Sequence, residues 1–310
     1  MMRKEYDFAN SVENTYVHDK DSFSDIVPQK HEDKQKKKTF PARLHVVFAM
    51  DKRIGVVFRR GPSKQVATYL WDREQDNFEP GQWLKGRIYE RRSDLSPDGK
   101  YLIYFAMNGK WSTKVQGAWT AISIAPWLKA INLYAKGDCW NGGGLFTSNN
   151  TFWLNDGDYC SHTKLQDSKD IYIDNSSVYD NKIGNNEDLG VYYNRLLRDG
   201  WKITKENNDY TIFEKPLLHD WFLIKIAHTD CDSAVGSGCY WDEHQLYNRE
   251  SKIIIECEGW EWAEKDTSFL VWAKNGCLYR VKIDKDIYID NAIKLYDFNK
   301  CRFKAIKAPY

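Results

Sequence analysis

Short β-type runs recur along the chain from residue 43 onward, and residues typical of tight turns separate them. The turn signal SPDG, at residues 96–99, stands directly before the apolar run KYLIYFAM. Pro97 presets the backbone for a type I turn, Asp98 can accept a hydrogen bond from its own backbone, and Gly99 tolerates a positive φ. This stretch therefore predicts a turn that leads into a β-strand.

The same signal continues to the C-terminal end of the sequence, with further turns at residues 148–150 and 274–276. Only VYYNRLLRDG, residues 191–200, predicts a short helix, because it ends in a glycine. An aromatic share of 15% also favours β structure. Successive hairpins without crossover helices predict an all-β, antiparallel, propeller-like fold. About 265 residues at ~40–50 residues per blade correspond to five or six blades, and the alternative is a β-sandwich pair.

Residues 1–42 differ in composition from the rest of the chain. They are polar, include the basic run KQKKK, and show no sustained period of strand or helix. We predict a flexible N-terminal extension over residues 1–42 and one propeller-like domain over residues 43–310.

The charge balance argues against several partners. The chain has 45 Lys and Arg residues against 44 Asp and Glu residues, a formal net charge of +1. Proteins that bind nucleic acid usually carry a clear basic excess, so a nucleic-acid partner is not expected. The sequence offers no apolar run that predicts a membrane span or a signal peptide. We therefore expect a cytoplasmic protein in which the seven cysteines are thiols.

Several motifs resemble known families. SPDG followed by a strand resembles the repeat of bacterial propellers of the Tol-associated type. The wider set RRGPSK, KGDCWNGGGLF, GCYWDEH and WEWAE resembles a family of uncharacterised bacterial proteins over most of residues 43–310. This resemblance implies that the region is one unit, and it transfers no catalytic residue.

An arginine-rich pair of segments, RRGPSK and GRIYERRSD, is the first candidate binding site. Its cationic members are Arg59, Arg60, Arg87, Arg91 and Arg92. Guanidinium groups on one rim would bind carboxylates of an acidic partner surface through paired hydrogen bonds. The alternative is a solvated strand whose charges pair internally.

The segment EGWEWAE is the second candidate binding site. Trp260 and Trp262 are two residues apart, which predicts that they share one face of a strand, and Glu258, Glu261 and Glu264 surround them. Aromatic rings beside carboxylates suit a sugar or a cationic peptide. The alternative is that both rings lie in the hydrophobic core.

Two further motifs are better explained by structure than by chemistry. His228, Cys231, Cys239 and His244 could complete a zinc shell, but their spacing matches no common zinc module, so we predict no metal. Glycines 142–144 precede a strand rather than a helix, and they predict a close approach of two backbones rather than a phosphate loop.

No catalytic motif stands out, so two functions remain open. The first is a non-catalytic protein that binds another macromolecule, such as an immunity-type inhibitor or a regulatory scaffold, with a protein partner and no cofactor. The alternative is a hydrolase or lyase whose active site lies at the central channel, because propeller enzymes can assemble their sites from distant residues.

Overall fold

The computed structural model describes residues 40–61, 64–156, 161–176, 179, 189–229 and 240–310. Phe40–Tyr310 forms one compact unit. The predicted extension, residues 1–42, lies almost entirely outside the described residues, so it stays a prediction. Among the residues that the structure describes, no helix has both the length and the apolar character needed to cross a bilayer.

The first three sheets contain strands from the N-terminal half. Sheet 1 consists of β1 (Arg43–Phe48), β2 (Ile54–Arg60), β3 (Gln65–Asp72) and β4 (Asn77–Lys85). Sheet 2 consists of β5 (Arg87–Leu95), β6 (Tyr101–Met107), β7 (Ala118–Ile124), β8 (Ala130–Ala135) and β11 (Thr163–Gln166). Sheet 3 consists of β9 (Gly144–Phe146), β10 (Thr151–Leu154) and β12 (Tyr172–Ile173).

A helix separates these sheets from the last two. The helix α1 spans Leu189–Arg198. Sheet 4 consists of β13 (Lys202–Glu206), β14 (Tyr210–Pro216), β15 (Trp221–His228), β16 (Trp241–Asn248) and β17 (Ile254–Glu256). Sheet 5 consists of β18 (Trp260–Asp266), β19 (Phe269–Lys274), β20 (Cys277–Lys282) and β21 (Ile293–Asp297). Two 3-10 turns, Ile289–Asn291 and Phe298–Lys300, flank β21.

The strands pair mainly with their sequence neighbours. Within the described residues every pairing is antiparallel except that of β10 with β12. The prediction of an all-β, mainly antiparallel fold is therefore confirmed, and the five sheets are compatible with a propeller-like or a sandwich arrangement.

The predicted turns form for the reasons that their residues suggest. In SPDG, Gly99 has a φ of 74°, and Asp98 Oδ1 accepts a hydrogen bond of 3.0 Å from the backbone N–H of Lys100. In the later turn, Asn275 and Gly276 both have positive φ values, of 52° and 73°. That combination defines the hairpin turn whose twist matches the flanking strands. Both hairpins are confirmed.

The predicted helix is also confirmed. It ends at Arg198, and Gly200 adopts a positive φ of 91° directly after it. Glycine at this place allows the chain to leave the helix without a Cβ clash. Residues 189–196 are all buried, so α1 is enclosed on nearly every side, and it contacts sheets 2, 3, 4 and 5.

Successive sheets share apolar cores. Separate hydrophobic clusters join sheet 1 to sheet 2, sheet 2 to sheet 3, sheet 3 to α1, and α1 to sheets 4 and 5. A further cluster joins sheet 5 back to sheet 1, with Trp71, Trp262 and Phe298 among its members. The first and last sheets of the described chain are therefore packed against each other.

A heptapeptide, KDIYIDN, occurs twice, at residues 169–175 and 285–291. In both copies the first isoleucine is buried, and the following tyrosine is exposed: Tyr172 is 55% exposed and Tyr288 is 62% exposed. The first copy contains β12, whereas the second contains a 3-10 turn before β21. The repeat favours an architecture of duplicated units.

Candidate functional site

A cleft of about 700 Å³ lies where sheets 1, 2, 4 and 5 meet. Its lining includes three arginines and six carboxylates, which are Arg43, Arg60, Arg91, Glu90, Asp242, Glu243, Glu256, Glu258 and Glu261. Clefts of this size that collect polar side chains from several elements are the usual places for ligands.

Glu261 enters the cleft from an irregular position in β18. The register of β18 with β19 shifts between Trp260 and Trp262, so that the residue between them interrupts the regular alternation. Glu261 Oε2 accepts a hydrogen bond of 2.8 Å from the backbone N–H of Leu44 on β1. Burial raises the pKa of Glu261 to about 7, against the opposing effects of this hydrogen bond and of nearby arginines. A carboxyl group with such a pKa can give or take a proton near neutral pH.

Glu90, on β5, is held differently. Its carboxylate forms a salt bridge of 3.0 Å with Arg60 on β2. Both side chains are only partly exposed, so the pair is a fixed part of the cleft wall. The cleft thus combines a carboxylate in an ion pair, that of Glu90, with one that accepts a hydrogen bond from a backbone N–H, that of Glu261.

Behind the cleft lies a buried polar cluster centred on Asp242 of β16. Arg91 contacts this carboxylate at 3.0 Å and Lys225 at 3.7 Å, while Tyr192 of α1 donates a hydrogen bond of 2.6 Å to it. Burial by itself would raise the pKa of Asp242, but Arg91 and Lys225 outweigh it and lower the pKa to about 2. Asp242 is therefore ionised at all ordinary pH values.

His244, two residues further along β16, is a neutral member of this cluster. Its Nδ1 lies 3.2 Å from the carbonyl oxygen of Trp260, and its Nε2 lies 3.2 Å from Lys225 Nζ. A carbonyl can only accept and an ammonium can only donate, so Nδ1 carries the proton and Nε2 accepts. Burial, together with the charge of Lys225, lowers the pKa of His244 to about 3.

His45, on β1, is the second buried imidazole. Its Nε2 accepts a hydrogen bond of 2.8 Å from Arg195 of α1. Burial lowers the pKa of His45 well below its ordinary value, and Arg195, Arg91 and Lys225 lower it further. The two imidazoles are thus kept neutral beside several cations.

The five predicted arginines do not share one surface. Arg60 and Arg91 line the cleft, each in a salt bridge. Arg59 is buried and donates to the carbonyl oxygen of Phe298 at 3.2 Å. These arginines therefore fit the alternative of internally paired charges better than that of an exposed cationic rim.

Arg92 and Arg87 lie elsewhere on β5. Arg92 is fully buried, and its Nη1 donates to the carbonyl oxygens of Cys139 and Asn141. Arg87 is exposed, and its guanidinium group stacks 4.3 Å from the ring of Tyr89, outside the cleft. The binding role predicted for the whole set stays a prediction, and the geometry favours only its two cleft members.

The prediction that Trp260 and Trp262 share one strand face is wrong, because the irregularity at Glu261 separates them. Trp260 stacks on Trp272 at 4.4 Å in the core between sheets 4 and 5. Trp262 packs edge-on against Phe48 at 5.4 Å in the core between sheets 1 and 5. Both rings are almost fully buried, as the core alternative describes.

The glycine-rich loop is explained by close packing, as predicted. A Cβ added at Gly143 would lie 1.9 Å from the carbonyl oxygen of Arg92, and one at Gly144 would lie 2.1 Å from that of Trp153. Only glycine lets these backbones approach so closely. The close backbone approach is confirmed.

The four candidate zinc ligands are only partly described. Cys231 and Cys239 lie outside the described residues. The ring of His228 stacks on Trp241 with 3.9 Å between their centroids, and both ring nitrogens of His244 contact groups of the protein. The expectation that the protein holds no metal stays a prediction.

A hydroxyl, an imidazole and a carboxylate form a second arrangement in sheet 2 and the following loop. Thr120 Oγ1 lies 2.9 Å from His162 Nε2, and His162 Nδ1 lies 2.9 Å from Asp156 Oδ1. This order resembles a nucleophile, its base and an orienting carboxylate. Thr120 is fully buried, however, and accepts a hydrogen bond from the N–H of Gly143, so this arrangement fixes the glycine-rich loop.

The comparisons with known proteins do not name a family. No protein-family model matches the sequence, and no curated protein matches it. A solved structure, that of Saccharomyces cerevisiae Sqt1, is similar with a TM-score of 0.29 and 10% identity, over 84% of this chain and 87% of that one. A similarity at this level does not establish a shared fold, and the predicted resemblance to a bacterial family stays a prediction.

Proposed function

We propose that this chain is a propeller-like binding protein that holds part of another macromolecule in the cleft between sheets 1, 2, 4 and 5. The observation that carries the proposal is the convergence of charged side chains from sheets 1, 2, 4 and 5 on one cleft of about 700 Å³. Residues so distant in sequence meet only if the whole domain is built to place them.

The propeller-like arrangement is part of this proposal. Each sheet packs on the next, with α1 between sheets 3 and 4, and the last packs on the first, which resembles the packing expected of five blades around a centre. The repeated heptapeptide supports duplicated units. The parallel pair of β10 with β12 departs from an ideal blade.

The class of binding protein that we propose includes an immunity-type inhibitor or a regulatory scaffold in the cytoplasm. An acidic protein surface could bind at Arg60 and Arg91, provided that its carboxylates replace Glu90 or share Arg91 with Asp242. Because both arginines already have carboxylate partners, an acidic surface would gain less binding free energy here than at guanidinium groups that have no partner.

A second candidate function, that of a hydrolase, is favoured by one specific observation. Glu261 and Glu90 line the same cleft, yet one has a raised pKa and the other forms a salt bridge. Two carboxyl groups kept in different environments are a common arrangement for acid–base catalysis.

The binding proposal is tested by affinity capture from the native host. The tagged wild type is compared with the cleft variant Arg60→Ala/Glu90→Ala and with Arg87→Ala, which removes an exposed arginine of the same strand as Glu90. All three proteins must have the same melting temperature.

We expect a captured partner to be lost by the cleft variant and kept by Arg87→Ala. A partner that both variants retain as well as the wild type would place the binding surface outside the cleft and overturn the proposal.

A further inference from the structure

Glu90 and Glu261 face the same cleft from sheets 2 and 5 in two different environments. Glu90 is 3.0 Å from Arg60, with which it forms an ion pair. Glu261 is held by the backbone N–H of Leu44 at 2.8 Å, and among the described residues no cation lies within ion-pair distance of it.

These environments divide the two carboxyl groups into a base and an acid. Glu90 is paired with an arginine, whereas Glu261 is buried without a contacting cation, and burial favours retention of its proton. The raised pKa of Glu261, about 7, agrees with this division, and the charge of Glu90 contributes to it. Such a division assigns the acid and the base when both groups reach one ligand.

We propose that the cleft hydrolyses glycosidic bonds, with Glu261 as the general acid and Glu90 as the general base. The proposal rests on the cleft being the functional site, as the second candidate function requires. Its substrate class is an oligosaccharide or a glycoconjugate that places one acetal linkage between the two carboxyl groups.

The reaction balances with water as the only co-reactant. The bond between the anomeric carbon and the leaving oxygen breaks, and Glu261 gives its proton to that oxygen. A water molecule forms a bond to the anomeric carbon, and its proton passes to Glu90. Exchange of protons with solvent returns both carboxyl groups to their starting states.

The remaining lining suits a sugar better than an ester or a peptide. Tyr240 and Trp241 stand at the cleft with partly exposed rings, and aromatic rings pack on the apolar faces of sugars. Glu256, Glu258 and other polar side chains can bind hydroxyl groups.

The lining described here contains no serine or threonine that could act as an acyl acceptor. Its only thiol is Cys257, whose pKa burial raises to about 12, and a thiol with such a pKa stays protonated and is a poor nucleophile. Acid–base chemistry between two carboxyl groups is therefore the reaction that these side chains support.

The first test needs no variant. Purified full-length protein is incubated with a panel of methylumbelliferyl glycosides that covers the common hexoses, pentoses and amino sugars in both anomeric forms. We expect hydrolysis of at least one member, with kcat/KM falling as pH rises through about 7, because Glu261 then loses its proton. Hydrolysis of no member above the buffer rate overturns the proposal, and it leaves the binding proposal to be decided by partner capture.

The second test separates a general acid from a structural glutamate. Glu261→Gln should lower kcat/KM by about 10²–10⁴-fold on methyl glycosides, whose leaving oxygen needs a proton. The same variant should lose less than about 10-fold on dinitrophenyl glycosides, whose phenolate leaves without one. Equal losses on both substrates contradict the role of Glu261.

Two further variants complete the assignment. Glu90→Gln should lose activity on both kinds of glycoside, because each needs an activated water. The matched control is Glu250→Gln, an exposed carboxylate outside the cleft lining, which should stay within about 2-fold of the wild type. Full activity of Glu90→Gln would overturn its role as the base.

Discussion

The boundary between sheets 1 and 5 and the boundary around α1 and sheet 4 both have an apolar core, and they differ in the charged side chains that are buried beside it. The first contains Trp71, Trp262 and Phe298, all at most 5% exposed. The second buries Arg91, Lys225 and Asp242, all at most 9% exposed, together with two neutral imidazoles. Both boundaries are inside the domain, so exposure to water does not explain the difference.

The contrast separates the side chains that stabilise the fold from the side chains that the fold holds in position. Apolar burial contributes stability roughly in proportion to the area removed from water. Buried ion pairs contribute little net stability, because the cost of removing charges from water is close to what their attraction returns. A polar cluster kept behind a cleft is therefore better explained by ligand chemistry than by folding.

The largest effect is expected at the apolar boundary. Trp71 is fully buried, stacks on Phe78 at 5.4 Å and meets Phe48 edge-on at 5.8 Å. Trp71→Ala should lower the free energy of unfolding by about 4 kcal/mol, because it removes this contact area and leaves a cavity. Urea denaturation measures the loss. Trp140→Ala is the matched control, since Trp140 is 61% exposed, and a similar loss there would contradict the argument.

The next effect is expected at the polar boundary when one partner alone is removed. Asp242→Leu leaves Arg91 and Lys225 buried without their carboxylate. The variant should lose about 3 kcal/mol of unfolding free energy, because uncompensated buried charge is costly. A loss below about 1 kcal/mol would show that water reaches this cluster in solution.

A smaller and pH-dependent effect is expected at Glu261. Its pKa is raised from an ordinary value of 4.5 to about 7, so the stability that the protonated side chain contributes is complete below pH 4.5 and is lost as pH rises through 7. Glu261→Gln does not titrate, so its stability relative to the wild type should increase by about 1–3 kcal/mol between pH 5 and pH 8. Urea denaturation at the two pH values gives the difference, and an unchanged difference would contradict the raised pKa.

The smallest effect is expected at the exposed arginine. Arg87→Gln removes only a solvated contact with Tyr89 and should change the unfolding free energy by less than about 0.5 kcal/mol. Arg92→Gln provides the comparison on the same strand, because it removes bonds to two buried carbonyl groups. Thermal melts that rank these two variants in the reverse order would contradict the assignment of Arg92 to the interior.

Local features of the fold could be predicted from the sequence. The turns at Gly99 and Gly276 and the helix that ends before Gly200 each depend on a few adjacent residues. A positive φ that favours glycine is a requirement of the turn itself, so such a turn can be predicted from the adjacent residues alone. The repeated KDIYIDN is also visible in the sequence alone, and it would have strengthened the prediction of duplicated units.

The candidate site could be predicted only in part, because it depends on contacts between distant residues. Glu261 was singled out with its neighbouring tryptophans, but its hydrogen bond to Leu44 joins residues 217 positions apart. The irregularity in β18 also reversed the expected side-chain alternation. The arginines of β5 look solvated in a sequence rich in charge, yet most of this strand is buried on both faces, and Arg91 and Arg92 find partners inside the domain.

The central claim is that the polar cluster is kept for ligand binding and does not stabilise the fold. It is tested most directly by the stability of a variant in which the charged members of the cluster are replaced together. Arg91→Met/Tyr192→Phe/Lys225→Met/Asp242→Leu removes the three charges and the tyrosine hydroxyl group and keeps similar volumes. We expect its free energy of unfolding, measured in urea at pH 7.5, to lie no more than about 1 kcal/mol below that of the wild type. The reason is that no charge of the cluster is left buried without its partner. A loss as large as that of Asp242→Leu alone would show that the cluster holds the fold together, and it would contradict the account.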